Sequence, residues 1–187
     1  EIGIGSGSWP HGAELAPVLP NGKIALVLTY HSAKHQDDFP EIFEMPDNPK
    51  QKWPKKTLVK LNYGEDVKSG DLNRDGFLDF VLGNNILFNN GDGSFETFRY
   101  CENFNTARVC LADINNDGFV DIIAGEEIFK KYGDIMWFSQ LAWFENPGGN
   151  CKGNWKKHII DNIRCPHSIS VSDIDGDGEI EIICAEH

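Results

Sequence analysis

The stretch Asp113-Ile114-Asn115-Asn116-Asp117-Gly118-Phe119-Val120-Asp121 places oxygen-bearing side chains at positions 1, 3, 5 and 9 and a glycine at position 6. Ca²⁺ takes roughly six to eight oxygen ligands. Carboxylates on alternating residues can turn inward together, and the backbone carbonyl of position 7 adds another ligand. Glycine at position 6 permits the sharp bend that returns position 9 to the metal. The stretch therefore predicts a calcium-binding loop.

The same pattern occurs at residues 71–79 and 173–181, so the sequence predicts about three Ca²⁺ sites. A single acidic loop would be read as a solvated turn, whereas copies in one repeated setting favour metal sites. The predicted ligands are positions 1, 3, 5, 7 and 9 of each loop, with position 7 contributing its backbone carbonyl. They are Asp71, Asn73, Asp75, Phe77 and Asp79; Asp113, Asn115, Asp117, Phe119 and Asp121; and Asp173, Asp175, Asp177, Glu179 and Glu181.

The EF-hand is the main alternative, because it shares the first six positions of this pattern. It also requires an acidic residue at position 12 and a helix on each side. Position 12 is Leu82, Ala124 and Cys184 in the three loops, and the flanking runs are β-branched and aromatic, which is typical of strands. The sequence therefore favours strand–loop–strand units over EF-hands.

A fourth copy of the unit lies near the start of the sequence. Shifting residues 166–187 back by 156 positions lays them on residues 10–31. There, loop positions 1 and 9 hold Pro17 and Ala25, and the bend falls on Asn21-Gly22. Because Asn-Gly is a strong signal for a tight hairpin turn, we predict a unit that keeps its fold without a metal site.

The repeating unit is a strand, a loop, a strand, a variable segment, a strand, a turn and a strand, and the loops start 42 to 60 residues apart. Four antiparallel strands at about this period are typical of β-propeller blades. We therefore predict an all-β propeller that is a contiguous part of a larger ring; a closed four-bladed ring is the alternative. The predicted parts are an outer strand of a preceding blade at 1–9, full blades at 10–63, 64–105 and 106–164, and the inner strands of a next blade at 165–187.

The loop pattern resembles the FG-GAP/VCBS repeat superfamily, which includes the integrin alpha-subunit propellers. The sequences W-F-E-N-P-G-G at 143–149, W-K-K-H-I-I at 155–160 and P-H-S at 166–168 are similar to its microbial secreted branch. That branch includes propellers attached to polysaccharide lyases and to an aldos-2-ulose dehydratase. The resemblance covers nearly the whole chain and implies a propeller with structural calcium, but it says little about substrate.

Charge and composition narrow the classes of partner. The net charge of −12 argues against nucleic acid or an anionic membrane surface, and no apolar run reaches membrane-spanning length. Loops of this kind need high-micromolar to millimolar calcium unless they are very rigid, which favours an extracellular, secreted protein. The expected partner is a glycan or a protein bound on the face opposite the calcium loops, without nucleic-acid binding or membrane insertion.

The strand ends on that opposite face form a second candidate site. The first strand of each propeller blade is innermost, so equivalent positions converge on the central axis. The aligned starts of the first strand are His11, Glu65, Ala107 and His167, and the aligned ends of the second strand are His31, Asn85, Glu127 and His187. Imidazole and carboxylate groups suit a transition-metal site or acid–base chemistry on a sugar. The alternative is that each histidine is a hydrogen-bonded strand end with a structural role.

Two functional hypotheses follow. The first is a secreted, non-catalytic binding or scaffold module for a glycan or protein, in which calcium is structural. The second is the propeller portion of a carbohydrate-active lyase or dehydratase with its site at the histidine-rich mouth. The first is favoured because the sequence contains no Ser-His-Asp order, CxxC pair or phosphate-binding loop, although an enzyme stays open as the alternative.

Overall fold

The computed structural model describes residues 10–30, 39–60, 65–127 and 138–186. These residues form an all-β structure of antiparallel sheets, as the sequence predicts. The predicted outer strand at 1–9 and the candidate site residues His31 and His187 lie outside the described residues. None of the helical segments within the described residues is long and apolar enough to cross a membrane.

The strands form four sheets, and neighbours in each sheet are consecutive in the chain. The first sheet contains β1 (Pro10–Leu19), β2 (Lys23–Tyr30), β3 (Glu41–Glu44) and β4 (Lys55–Thr57). The second contains β5 (Val67–Gly70), β6 (Asp79–Leu82), β7 (Asn85–Asn89) and β8 (Phe95–Arg99). The third contains β9 (Thr106–Ala112), β10 (Asp121–Glu126), β11 (Ser139–Glu145) and β12 (Lys156–Ile163), and the fourth β13 (Pro166–Ser172) and β14 (Glu181–Glu186). No sheet closes on itself within the described residues, so the confirmed part of the predicted fold is this series of open antiparallel sheets.

The turn between β1 and β2 lies where the Asn21-Gly22 pair predicts a tight hairpin turn. A short turn at Pro20–Gly22 joins the strands, and Asn21 and Gly22 have φ angles of 62° and 70°. Asparagine and glycine are the residues that adopt this left-handed conformation at least cost. The local sequence therefore specifies a tight turn where the other sheets have a nine-residue loop.

The second strands of the second and third sheets, β6 and β10, are each sandwiched between neighbouring sheets. All residues of β6 are buried, as are the first five of β10. Alternate side chains point to opposite faces of a strand, so Ile122 and Ala124 face the second sheet while Ile123 faces the fourth. Burial on both faces explains why these strands are continuous apolar runs rather than alternating ones.

The hydrophobic core is a series of layers between successive sheets. Val18 and Val27 of the first sheet pack with Phe80 of the second. The ring of Tyr100 contacts that of Phe144 in the third sheet edge-on, with centroids 5.1 Å apart. The sheets therefore stack in chain order.

Adjacent sheets also approach one another closely at two glycines. At Gly12 of β1, a β-carbon would lie 2.8 Å from the backbone oxygen of Glu65 and 2.5 Å from Thr29 Oγ1. At Gly125 of β10, a β-carbon would lie 2.7 Å from the backbone oxygen of Pro166. Glycine is needed at both positions because any side chain would force adjacent sheets apart.

Candidate functional site

The three predicted loops join the first and second strands of the second, third and fourth sheets. Position 1 directly follows the first strand at Asp71, Asp113 and Asp173. Position 9 is the first residue of the second strand at Asp79, Asp121 and Glu181. The hairpin therefore holds the carboxylates of positions 1 and 9 at the end of paired strands.

The backbone of loop 71–79 wraps around its polar side chains. The amides of Asp75 and Gly76 donate hydrogen bonds to Asp71 Oδ1 and Oδ2, at 3.2 and 3.0 Å. The Asp75 amide also donates to Asn73 Oδ1 at 3.1 Å, and the Phe77 amide donates to Asp75 Oδ1 at 2.9 Å. These bonds turn the side chains of positions 1, 3 and 5 toward the inside of the loop.

Loop 113–121 repeats this geometry closely. The amides of Asp117 and Gly118 donate to Asp113 Oδ1 and Oδ2, at 3.1 and 2.7 Å. The Asp117 amide donates to Asn115 Oδ1 at 3.1 Å, and the Phe119 amide donates to Asp117 Oδ1 at 2.8 Å. The two sequences thus specify one local structure.

Loop 173–181 has carboxylates at positions 1, 3 and 5. One oxygen from each of Asp173, Asp175 and Asp177 lies within 4.8 Å of the other two, and all three residues are exposed. Like charges held this close repel one another unless a cation neutralises them. At the base of the loop, Glu181 Oε2 accepts a hydrogen bond from the Ile174 amide at 2.7 Å.

Glycine at position 6 is required by the backbone conformation. Gly76, Gly118 and Gly178 have φ angles of 88°, 87° and 93°, which disfavour any residue with a β-carbon. A β-carbon at Gly76 or Gly178 would meet no atom within 4 Å, so at these two positions conformation rather than space selects glycine. Position 4 also has positive φ, at 62° for Arg74 and 57° for Asn116.

Position 9 differs from the other positions because its carboxylate is buried in the second and third sheets. Asp79 and Asp121 have no exposed surface. The Oδ2 atoms accept hydrogen bonds from the Leu72 amide at 3.0 Å and the Ile114 amide at 2.9 Å. Burial raises the pKa of Asp79 to about 7 and raises the pKa of Asp121 as well; the backbone hydrogen bonds oppose this effect. A cation in the loop would supply the missing counter-charge.

Two buried asparagines, Asn89 and Asn146, complete these sites and were not predicted from the sequence. Their amides donate to Oδ1 of position 9, from Asn89 to Asp79 at 2.9 Å and from Asn146 to Asp121 at 2.8 Å. Asn89 is the last residue of the third strand of its sheet and Asn146 directly follows the third strand of its own, and both are 3% exposed. The sequence did contain a signal for these asparagines, because each occurs in a repeat that has a carboxylate at loop position 9. In the first sheet, which has Ala25 at loop position 9, the residue equivalent to the asparagine is Met45.

The donor set fits calcium. The loops offer carboxylate, amide and backbone carbonyl oxygens, which hard divalent cations prefer, and no nitrogen or sulfur ligand is among the predicted positions. The first sheet, with Pro17 and Ala25 at positions 1 and 9, offers no equivalent donors there.

At the opposite end of the inner strands, three of the predicted residues are joined through Arg108. His11 Nδ1 lies 3.3 Å from Glu65 Oε2, which lies 3.0 Å from Arg108 Nη1. Arg108 Nη2 lies 3.0 Å from His167 Nε2, and Arg108 Nε donates to the His167 carbonyl at 2.8 Å. The structure thus brings together groups from all four sheets. Alignment of the repeats gave Ala107 as the third-sheet residue equivalent to His11, Glu65 and His167, and it missed Arg108. The sequence signal for Arg108 was that it is the one charged residue in the otherwise mostly apolar strand β9.

The other predicted mouth residues are placed differently. Glu127 is buried, with Oε1 3.8 Å from Cys165 Sγ. Asn85 begins β7, because a two-residue turn separates it from its partner Leu82; this corrects the prediction that Asn85 ends the second strand. In the described part of the chain, one group of three acidic, histidine or cysteine side chains has its ligand atoms within 4.8 Å of one another, and it is Asp173, Asp175 and Asp177 of loop 173–181.

Comparison with known proteins gives limited matches. No curated protein matches the chain significantly in sequence. Among solved structures, the crystal structure of the V. cholerae biofilm matrix protein Bap1 is similar over 78% of this chain and 20% of its own, with 12% identity and a TM-score of 0.48. The chain therefore spans about a fifth of that protein. Residues 71–124, which contain two of the three loops and the strands β6, β7, β8 and β9, match the sequence model of the FG-GAP-like repeat, and this match supports an FG-GAP-type β-repeat fold.

Proposed function

We propose that this chain is part of a calcium-stabilised β-propeller that acts outside the cell as a non-catalytic binding or scaffold module for a glycan or protein. One observation carries the proposal. In three successive sheets, side-chain oxygens at loop positions 1, 3 and 5 accept hydrogen bonds from backbone amides of the same loop, and position 9 begins the second strand with a carboxylate.

The distribution of charge supports calcium as the ligand of these loops. Ten of the 29 acidic side chains occupy loop positions 1, 3, 5 or 9. Ionised together and without cations, they would repel one another, and the buried position-9 carboxylates would be poorly solvated. Binding of a divalent cation removes both costs, so its free energy adds to folding stability.

The packing of the sheets supports a propeller. The inner strands β1, β5, β9 and β13 are adjacent in chain order, and each four-stranded sheet runs outward from its inner strand. The outer strands β8 and β12 are the most exposed of their sheets. Calcium loops of this type serve at extracellular calcium concentrations, which supports an extracellular location.

Calcium is expected to raise the melting temperature. Free calcium at ten times Kd adds about 1.4 kcal/mol per site, which corresponds to roughly 3–6 °C for a chain of this size. Calorimetry in calcium and in a chelator measures this shift, with Mg²⁺ as the ionic control. The variant Asp173→Asn/Asp177→Asn should bind one ion fewer by titration calorimetry. Identical melting in chelator and calcium would refute the metal assignment.

A series of side-chain contacts favours a second candidate function, the propeller portion of a carbohydrate-active lyase or dehydratase. The contacts link His11, Glu65, Arg108 and His167. These groups lie at the strand ends opposite the calcium loops, and the side chains of Glu65 and Arg108 are 16% and 14% exposed. Imidazole and carboxylate side chains in contact can donate and accept protons on a bound sugar. The arrangement would serve equally to orient a glycan through hydrogen bonds.

The double variant His11→Ala/His167→Ala separates these roles. We expect it to fold and to lose at least tenfold in affinity for whichever polysaccharide the wild type retains on an array, since two of the four linked groups are removed. His158→Ala on the outer strand β12 is the matched control. Loss of sugar turnover in the double variant would establish the enzyme, and unchanged binding and turnover would assign both histidines a structural role.

A further inference from the structure

Asn146 touches two calcium loops at once. Its backbone amide donates to Asp121 Oδ1 at position 9 of its own loop, at 2.8 Å. Its side-chain Nδ2 donates at 2.9 Å to the carbonyl of Leu72, which is position 2 of the loop in the preceding sheet. The residue is 3% exposed, so neither contact can be exchanged freely for water.

The path continues to the corresponding carboxylate of the preceding loop. The amide of Leu72 donates to Asp79 Oδ2 at 3.0 Å, and Leu72 itself is fully buried. Two proposed ligands in different sheets, Asp79 and Asp121, are thus joined through Leu72 and Asn146 alone. Every hydrogen bond on this path is 3.0 Å or shorter.

A second contact joins the same two loops at their tips. The guanidinium of Arg74, at position 4 of the first, lies over the ring of Phe119, at position 7 of the second, 4.5 Å from its centroid. A β-carbon at Gly118 would lie only 2.8 Å from Arg74 Nη2, so the two tips are in close contact. The two loops are therefore in contact at two separate points.

The second sheet supplies an internal comparison. Asn89 makes the same contact with its own position 9, but its Nδ2 donates at 2.9 Å to the carbonyl of Val18 in the first sheet. The turn that follows Val18 has no metal ligands. Asn89 therefore has the packing role of Asn146 without a second calcium site to contact.

We propose that calcium binding at loops 71–79 and 113–121 is positively coupled, and that Asn146 is the positioning residue that transmits the coupling. The inference rests on the proposed calcium sites. An ion in one loop fixes its position-9 carboxylate, and Asn146 and Leu72 then hold the backbone of the other loop in its binding conformation. The second ion has less backbone to order, so it binds more tightly, and the effect is reciprocal.

Amide resonances of Gly76 and Gly118 report on each loop separately during a calcium titration, because each amide donates to position 1 of its own loop. Asp117→Asn removes an exposed ligand of loop 113–121 without altering the core. We expect it to weaken calcium binding read at Gly76 about fivefold or more. An unchanged affinity at Gly76 would overturn the coupling.

Asn146→Ala tests the residue itself. In this background, adding Asp117→Asn should weaken the affinity read at Gly76 clearly less than it does in the wild type, because only the contact between the loop tips remains; in the matched background Asn89→Ala it should still weaken that affinity about fivefold. Coupling that is as strong in Asn146→Ala as in the wild type, or that Asn89→Ala reduces equally, would overturn the role of Asn146. Asn146→Ser is the substitute if the alanine variant does not fold, and the Asp117→Asn comparison decides the coupling in either case.

The outcomes also separate this inference from the function on which it rests. If neither glycine resonance shifts at millimolar calcium, the calcium sites themselves are refuted. If both shift with affinities that do not depend on the other loop, the sites stand and only the coupling fails.

Discussion

Asp121→Ala is expected to lower the free energy of unfolding by about 2–4 kcal/mol even in the absence of calcium, because one buried and one partly buried backbone amide lose their acceptor. Those amides are Ile114, which donates to Asp121 Oδ2, and Asn146, which donates to Oδ1. Asp121 itself has no exposed surface, so the carboxylate accepts these bonds in a site shielded from solvent. With calcium present the loss should be larger, since the variant also loses one bound ion.

Urea denaturation in chelator and in calcium measures both parts of this effect. The matched control is Asp117→Ala in the same loop, whose side chain is exposed. It should cost little in chelator and should lose stability only when calcium is present. Equal stability of the Asp121 and Asp117 variants in chelator would show that position 9 serves only as a ligand and has no structural role.

The loop geometry was predictable from sequence because it is local. Side-chain oxygens at alternating positions, with glycine at position 6, determine a bend within nine residues, and the strands beside it follow from the apolar runs. The turn at Asn21-Gly22 was predictable for the same reason. None of these features requires knowledge of a distant part of the chain.

The missed residues are those whose partners are distant in sequence. Asn146 donates to a carbonyl 74 residues away, and Arg108 contacts a histidine 59 residues away. Nothing in the local sequence near either residue reveals which sheet will pack against it. Asn85 was assigned to the wrong strand for a related reason. The turn between Leu82 and Asn85 is only two residues long, so a small shift in the alignment moves a residue from the second strand to the third.

The pH dependence of stability is expected to have opposite sign with and without calcium. Burial raises the pKa of Asp79 from 3.8 to about 7, so in chelator the folded protein holds this proton more tightly than the unfolded chain. Stability from Asp79 is therefore complete below pH 4 and falls as the pH rises to about 7, by up to about 4 kcal/mol. Saturating calcium requires the ionised carboxylate, so calcium binding and its contribution to stability should strengthen over the same range.

Denaturation between pH 4 and 8, in chelator and in calcium, measures these slopes. Asp79→Asn is the decisive control, because it keeps an oxygen near the amides of Leu72 and Asn89 but cannot titrate. The difference in slope between the wild type and this variant isolates the carboxylate from the other acidic groups. Parallel curves for the two proteins in chelator would mean that Asp79 is ionised in the folded protein throughout this range. Calcium would then bind a loop whose buried carboxylate is already charged, and no proton would be released on binding.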